Sequence, residues 1–414
     1  MSISKTKKDF PIFKSSPGLV YLDSAASSQT PESVTDAVGK YYNEYRSNIH
    51  RSMYEMGETA TLKYESARGI VAGFIGALKD EVIFTSGATM GINMLVYSLE
   101  QYLSLEEGDL PARGAQAGEI VTTVTEHHSS LIPLQQLAKR KGLVLKHINI
   151  TKDFDIDYKQ AEELITQKTK IVSVPLAGNV LGTIHEIKKI AELAADVGAV
   201  MICDGTKAAG HMPINVKELG CDFLIFSGHK MCGPTGIGVL YGKNELLEDL
   251  PPSIFGGGIV EEVDLQSAKW RSAPWKFEAG TPNIAGAIGL GEAVIYLESI
   301  GVEDIHEHVC ELTEYAIEEL GKLHGVKMFT QKDTDKNIGI VSFAVDNIHP
   351  HDIAEIAGRD DVAIRAGHHC ANPLMNILGV NSLARASFYL YNDQSDVDAL
   401  IEVIKKAQRI FKTK

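Results

Sequence analysis

Residues 221–241 read CDFLIFSGHKMCGPTGIGVLY. The run from Phe223 to Phe226 is apolar and suits a strand buried on both faces. Ser227, His229 and Lys230 follow it at once, and a short Gly/Pro loop leads to a second apolar run at 237–242. No acidic residue in the segment after Lys230 is there to pair with it. Such a lysine either lies in solvent or is partly desolvated, and a desolvated lysine becomes a nucleophilic amine. Taken alone, the solvated reading wins.

Working outward, similar β-branched runs recur at 81–86, 119–124, 143–150, 170–176 and 199–204, making seven with the two above. Helix-patterned segments such as MGINMLVYSLEQYL, LIPLQQLAKRKG and IKKIAELAADVG lie between most of them. Alternating strands and helices predict an α/β fold with a mostly parallel seven-stranded sheet covered on both faces. The close pair within 223–242 leaves room for one antiparallel member. From about residue 290 the pattern changes to two helices, several short strands and a last helix, as expected of a smaller α+β domain. The expected division is a large domain at 20–290 and a small one made of 1–19 and 291–414. Residues 104–118, SLEEGDLPARGAQAG, read as a surface loop.

Composition narrows the function. The chain has 414 residues, 44% of them hydrophobic, enough for a substantial core. A formal charge of -14 argues against holding nucleic acid or an anionic membrane by bulk electrostatics. No apolar run reaches the length of a membrane helix, and MSISKTKKDF has no apolar stretch behind it, so no secretory signal is read. Five cysteines are too few and odd in number for a disulfide scaffold, which points to a reducing, cytoplasmic setting.

In open α/β sheets, ligands bind beyond the C-terminal ends of the strands. Four such ends carry reactive residues here: TSGAT (85–89), TEHHS (125–129), CDGTK (203–207) and SGHK (227–230). The first opens a helix, where the N–H groups of Ala88 and Thr89 would face an anion. Taken alone, an ordinary glycine turn with a Thr cap is the favoured reading. Asp204 ends a strand and needs strong donors to stay ionised, or is merely a structural acceptor. The combination is what discriminates. An aldehyde cofactor with a basic ring nitrogen and a phosphate requires a lysine, an acid and a helix N-terminus, which pyridoxal 5′-phosphate would find here.

These residues, with YLDSAASSQTP (21–31), NIHRSMYEMGETA (48–60), NVLGT (179–183), FEAGTPN (277–283), RAGHHCANPLM (365–375) and ARASFYLYN (384–392), resemble aminotransferase class V. Within it, the chain is most similar to the SUF-type (group II) cysteine desulfurases. The resemblance implies a PLP-dependent transferase fold of type I, like that of aspartate aminotransferase, and a homodimer. It implies that Lys230 holds the cofactor covalently and later moves the Cα proton, that His127 stacks on the ring and assists as acid and base, and that Asp204 keeps the ring nitrogen protonated. Thr89, Ser227 and His229 would bind phosphate, with Thr281 reaching it from the neighbouring subunit. Asn179 would lie near the phenolic oxygen and the substrate, and Arg385 would clamp the substrate carboxylate. Arg365 and the pair His50 and Arg51 would lie near the entrance. Cys370 would accept sulfur from L-cysteine as a persulfide, its thiolate favoured by the two imidazoles of GHHC. The sulfur would pass towards iron–sulfur cluster assembly, through a SufE- or SufU-like acceptor or directly to a SufBCD scaffold. No metal is implied.

The pattern is broken at Lys207, where the family usually has a glutamine donating to the phenolic oxygen. Either Lys207 takes over that contact as a charged donor, or it swings into solvent. The break motivates an alternative: another class V enzyme, such as a selenocysteine lyase, amino-acid lyase, epimerase or aminotransferase. A cofactor-free binding or scaffold subunit is a third reading.

Overall fold

The computed structural model describes residues 3–107 and 118–412. Its main sheet has, among the described residues, seven strands: β1 (Val82–Thr85), β2 (Glu119–Thr123), β3 (Val144–Ile148), β4 (Thr169–Pro175), β5 (Val200–Asp204), β6 (Phe223–Ser227) and β7 (Gly238–Gly242). The order across the sheet is β1-β7-β6-β5-β4-β2-β3. β7 runs antiparallel to both its neighbours, and the other pairings are parallel. The short loop after Lys230 reverses the chain, so β7 is the antiparallel member that the close spacing allowed.

Alternation along β6 shows why the apolar runs become strands. Phe223 and Ile225 pack into one hydrophobic cluster, Leu224 and Phe226 into another on the opposite face. Both faces are therefore buried and need helices over them, some of which are the crossovers between parallel strands. α1 (Glu32–Glu44), α2 (Glu55–Phe74), α3 (Ala88–Glu107) and α4 (His128–Lys141) lie within this part of the chain, and α5 (Ile284–Ile300) closes it. α3 and α4 contribute Leu95, Leu99, Leu134 and Leu137 to the cluster around Phe223.

α1 and α2 carry no strong apolar stripe in the sequence. α2 seats against α5 at small residues, where a Cβ on Gly291 would come within 2.9 Å of the Ala67 Cβ, and α1 meets the same helix where a Cβ on Gly289 would come within 2.8 Å of a Val38 methyl. Tyr41 of α1 and Tyr64 and Val71 of α2 are also buried in this layer. A hairpin, β8 (Val260–Val263) with β9 (Ala268–Trp270), was likewise not legible from periodicity; Val263 and Leu265 at its tip are exposed.

The C-terminal part forms a separate antiparallel sheet, with β10 (Val326–Met328), β11 (Ile340–Val345), β12 (Arg365–Gly367) and β13 (Leu383–Ser387) in the order β10-β11-β13-β12. A second core, including Val341, Phe343, Leu400 and Ile404, lies between it and its helices. The N-terminal segment returns to it: Val20–Tyr21 pairs with Val362–Ala363. Of the surface loop expected at 104–118, residues 104–107 are helical, continuing α3, and 108–117 lie outside the described residues. No single helix among the described residues is long and apolar enough to cross a membrane.

Candidate active site

Beyond the C-terminal ends of β1, β2, β4, β5 and β6 lies a cavity of about 220 Å³. Lys230, Asp204, His127, Thr89, Ala88, Asn179, Lys207, Ser227, His229, Arg365, Arg385 and Cys370 all line it. Residues from Ala88 to Arg385 thus meet because most sit at or just past a strand end of the main sheet, while Arg365, Cys370 and Arg385 are brought in by the C-terminal sheet. A broader cleft of about 1060 Å³ opens beside it between α3 and α4 and shares Thr89 and Ser129. That cleft contains neither Lys230, Asp204 nor Cys370, so the reactive groups belong to the smaller cavity.

The turn between β1 and α3 forms the anion-binding end. Gly87 has φ +142, a conformation that L side chains rarely adopt, and a Cβ there would touch the Ser227 hydroxyl at 3.4 Å. The Ala88 N–H donates to Ser227 Oγ at 2.8 Å. Ala88 is therefore already bonded, and its backbone acts on a ligand through the Ser227 hydroxyl rather than directly. The first N–H bonded within the turn of α3 is that of Gly91, to the Gly87 carbonyl, so Thr89 and Met90 present theirs at the helix end. Thr89 Oγ1 also hydrogen-bonds Ser129 Oγ at 2.8 Å.

Asp204 is buried and, among the described residues, has no paired cation. Its Oδ1 accepts the Thr206 N–H at 2.9 Å and its Oδ2 accepts the Ser130 hydroxyl at 3.2 Å. Glu126 lies fully buried nearby, and burial together with the Asp204 charge holds its carboxyl well above the usual range. Thr122 and Ser173 both donate to its Oε1. The two carboxyl groups thus share one end of the site, and it is Glu126 whose ionisation is disfavoured there.

Lys230 follows β6 in a tight turn whose Gly228 N–H donates to the Ile237 carbonyl. Part of its surface stays accessible, towards the cavity, yet packing pushes its amine down to about 8, opposed by the Asp204 charge. His127 caps α4, its Nδ1 accepting the Ser129 N–H at 3.1 Å, so its proton sits on Nε2. Burial and the Lys230 charge push His127 to about 4, and burial does the same to His229. Both rings are neutral near pH 7.

Arg385, on β13, is fully buried. It donates to the Asn179 carbonyl at 2.8 Å and pairs with Asp23 at 3.1 Å, while its Nε has no partner. Asn179 in turn donates to the His369 carbonyl at 2.6 Å. Lys207 does not swing into solvent: it is 4% exposed, lines the cavity and makes no hydrogen bond among the described residues. Burial first, then the Lys230 and Arg385 charges, pull its amine well below the ordinary lysine range.

Two expectations are redrawn. His50 and Arg51, expected near the entrance, do not border this cavity; with Thr281, expected to reach it only from a neighbouring subunit, they line a second cleft of about 250 Å³ beside Arg271 and Glu278. The two imidazoles of GHHC do not both face the thiol. His369 turns its Nε2 to the Leu383 carbonyl, and burial pushes it down to about 3. Finally, Asp23, Ser130, Thr206 and His128 join the site unforeseen. Asp23, His128 and Thr206 had a signal in their places within YLDSAAS, TEHHS and CDGTK.

Among the described residues no group of three or more His, Cys, Asp or Glu could hold a metal ion. The aminotransferase class-V family model matches residues 20–400. A probable cysteine desulfurase from Halalkalibacterium halodurans is 47% identical, over 99% of each chain. One from Streptomyces coelicolor is 43% identical, over 98% of this chain and 97% of its own. Among solved structures, the apo cysteine desulfurase of Thermococcus onnurineus superposes with a TM-score of 0.92 at 39% identity, covering 98% of both chains. An Escherichia coli cysteine desulfurase gives 0.90 at 34%, covering 99% of both.

Proposed function

The chain belongs to the aminotransferase class-V family, and from that premise we propose that it is a pyridoxal 5′-phosphate-dependent cysteine desulfurase. One observation carries the reading: a cavity holding the Lys230 amine, the Asp204 carboxylate, a helix-terminal anion cradle and the Cys370 thiol together. Full-length likeness to proteins named cysteine desulfurases supports it over other class V activities.

The residues present fit the cofactor. Asp204 would bind a protonated ring nitrogen, Gly87, Thr89 and Ser227 would cradle the phosphate, and His127 would offer a neutral ring face. Lys207 and Asn179 would serve the phenolic oxygen. When bound, the cofactor supplies an electron sink that labilises bonds around the substrate Cα. Lys230, with its amine lowered to about 8, is suited to capture an aldehyde and then to carry the Cα proton. Arg385, fixed by Asp23 and Asn179, would bind the α-carboxylate, with Arg365 beside it.

Cys370 would attack the substrate sulfur. The Sγ–S bond forms as the Cβ–S bond breaks, and Cβ keeps the electron pair and takes a proton, leaving alanine and a Cys370 persulfide. The persulfide would serve iron–sulfur cluster assembly through a SufE- or SufU-like acceptor or a SufBCD scaffold, in the cytoplasm. Thr281, His50 and Arg51, gathered in a separate cleft, would act on a second copy's cavity in a homodimer. The test is release of alanine and sulfide from L-cysteine with a reductant. Activity equal to wild type in a Cys370→Ala variant would refute the persulfide route.

A further inference from the structure

Cys370 lies in a segment, His368 to Asn372, held at the cavity rim by a specific set of contacts. His369 and Cys370 both have left-handed backbone, with φ 51 and 56, at roughly 1 kcal/mol or more each for non-glycine residues. Such a conformation persists only if its surroundings impose it. The Asn179 side chain donates to the His369 carbonyl at 2.6 Å, and the His128 N–H donates to the Cys370 carbonyl at 3.0 Å. Two further bonds end on imidazoles: the Asn372 N–H donates to His128 Nε2 at 3.3 Å, and the Cys370 N–H donates to His368 Nδ1 at 3.2 Å.

A ring nitrogen accepts a hydrogen bond only while it carries no proton. Both rings must therefore be neutral in the docked arrangement, with the His128 proton on Nδ1. Their centroids lie 5.9 Å apart, so protonation of both would also set like charges side by side. His128 is faced by His368 and Cys370 from the rim segment and by His127 on its own helix. It also borders the broad cleft with Glu100, Arg140 and Lys141. Burial and His368 both hold its pKa below 6.5.

We propose that His128 is a positioning residue that fastens the Cys370 segment by accepting the Asn372 N–H, and that its protonation releases the segment. The arrangement matters because the thiol has two tasks, facing the cavity to receive sulfur and then presenting it outside. Docking serves the first and release the second. Only the meaning of the motion rests on the proposed desulfurase activity; the fastening does not.

Hydrogen exchange of the full-length, cofactor-loaded protein tests it, read by mass spectrometry on a peptide covering 366–376 after correction for intrinsic rates. Glutamine can accept the N–H through its carboxamide oxygen but does not titrate, whereas leucine can do neither. In the wild type, exchange should speed up about three- to tenfold from pH 7.5 to 5.5, the worth of one lost hydrogen bond. His128→Gln should stay slow at both values and His128→Leu fast at both. If His128→Leu does not fold, wild type against His128→Gln decides. A wild type indifferent to pH, or a Gln variant as pH-sensitive as wild type, overturns the proposal. Neither outcome touches the alanine-release assay, so the two readings fail separately.

Discussion

The floor and the rim of the cavity are built by different means. The floor, carrying Asp204, Ser227 and Lys230, sits on ends of β5 and β6, interior strands paired on both edges and buried on both faces. The rim, His368 to Asn372, has two residues in left-handed backbone and hangs on side-chain acceptors. Ladder hydrogen bonds are numerous and cooperative, whereas a few side-chain bonds are singly replaceable. The floor can therefore hold reacting groups steady, while the rim can move a thiol without disturbing them.

The largest test of this contrast strikes the floor. Lys230→Ala should lower desulfuration by at least about 10³-fold, the scale for loss of a covalent catalytic group. In the wild type, capture of pyridoxal phosphate trapped by borohydride should rise about tenfold per pH unit up to about pH 8 and then flatten, following the free amine. Label found on another lysine in the wild type would break the assignment.

At the rim, Cys370→Ser should abolish persulfide formation yet leave the melting temperature and the cofactor spectrum unchanged. An accompanying loss of more than about 1 kcal/mol of stability would show that rim and floor are not separable. Asp23→Ala probes the join between them. Without its carboxylate, Arg385 keeps only the Asn179 carbonyl, and KM for cysteine should rise about tenfold with kcat little changed. A fall in kcat alone would place Arg385 elsewhere in the reaction.

The smallest effect concerns Lys207. Its folded pKa lies below that of the unfolded chain, so between the two values the unfolded chain holds a proton that the folded one lacks. Stability of the cofactor-free protein should accordingly rise with pH across that window. Lys207→Met should raise its melting temperature by a few degrees at neutral pH, with the gain fading towards pH 10. A melting temperature unchanged or lowered at neutral pH would mean that the amine is better satisfied than its surroundings indicate.

Much of the floor was legible in the chain. Seven apolar β-rich runs became the seven strands of the main sheet because period-two burial on both faces selects such residues. Reactive residues placed just after those runs had to arrive at one end of a parallel sheet. The rim and the supports were not legible. Ser130 reaching Asp204, Asp23 reaching Arg385 and Asn372 reaching His128 span 74, 362 and 244 positions and leave no local pattern. The seat of α2 on α5, where Gly291 meets Ala67, likewise joins distant positions and leaves no local pattern.

By itself, then, the sequence determined the sheet and the roster of groups at its strand ends, since alternation and strand–helix order are local properties of the chain. The tertiary structure alone decided that Lys207 is buried rather than solvated, that His369 turns away from the thiol, and that His50, Arg51 and Thr281 gather in a cleft of their own. Each of those outcomes depends on burial and on which distant atoms come within about 3 Å, the range at which hydrogen bonds select one orientation.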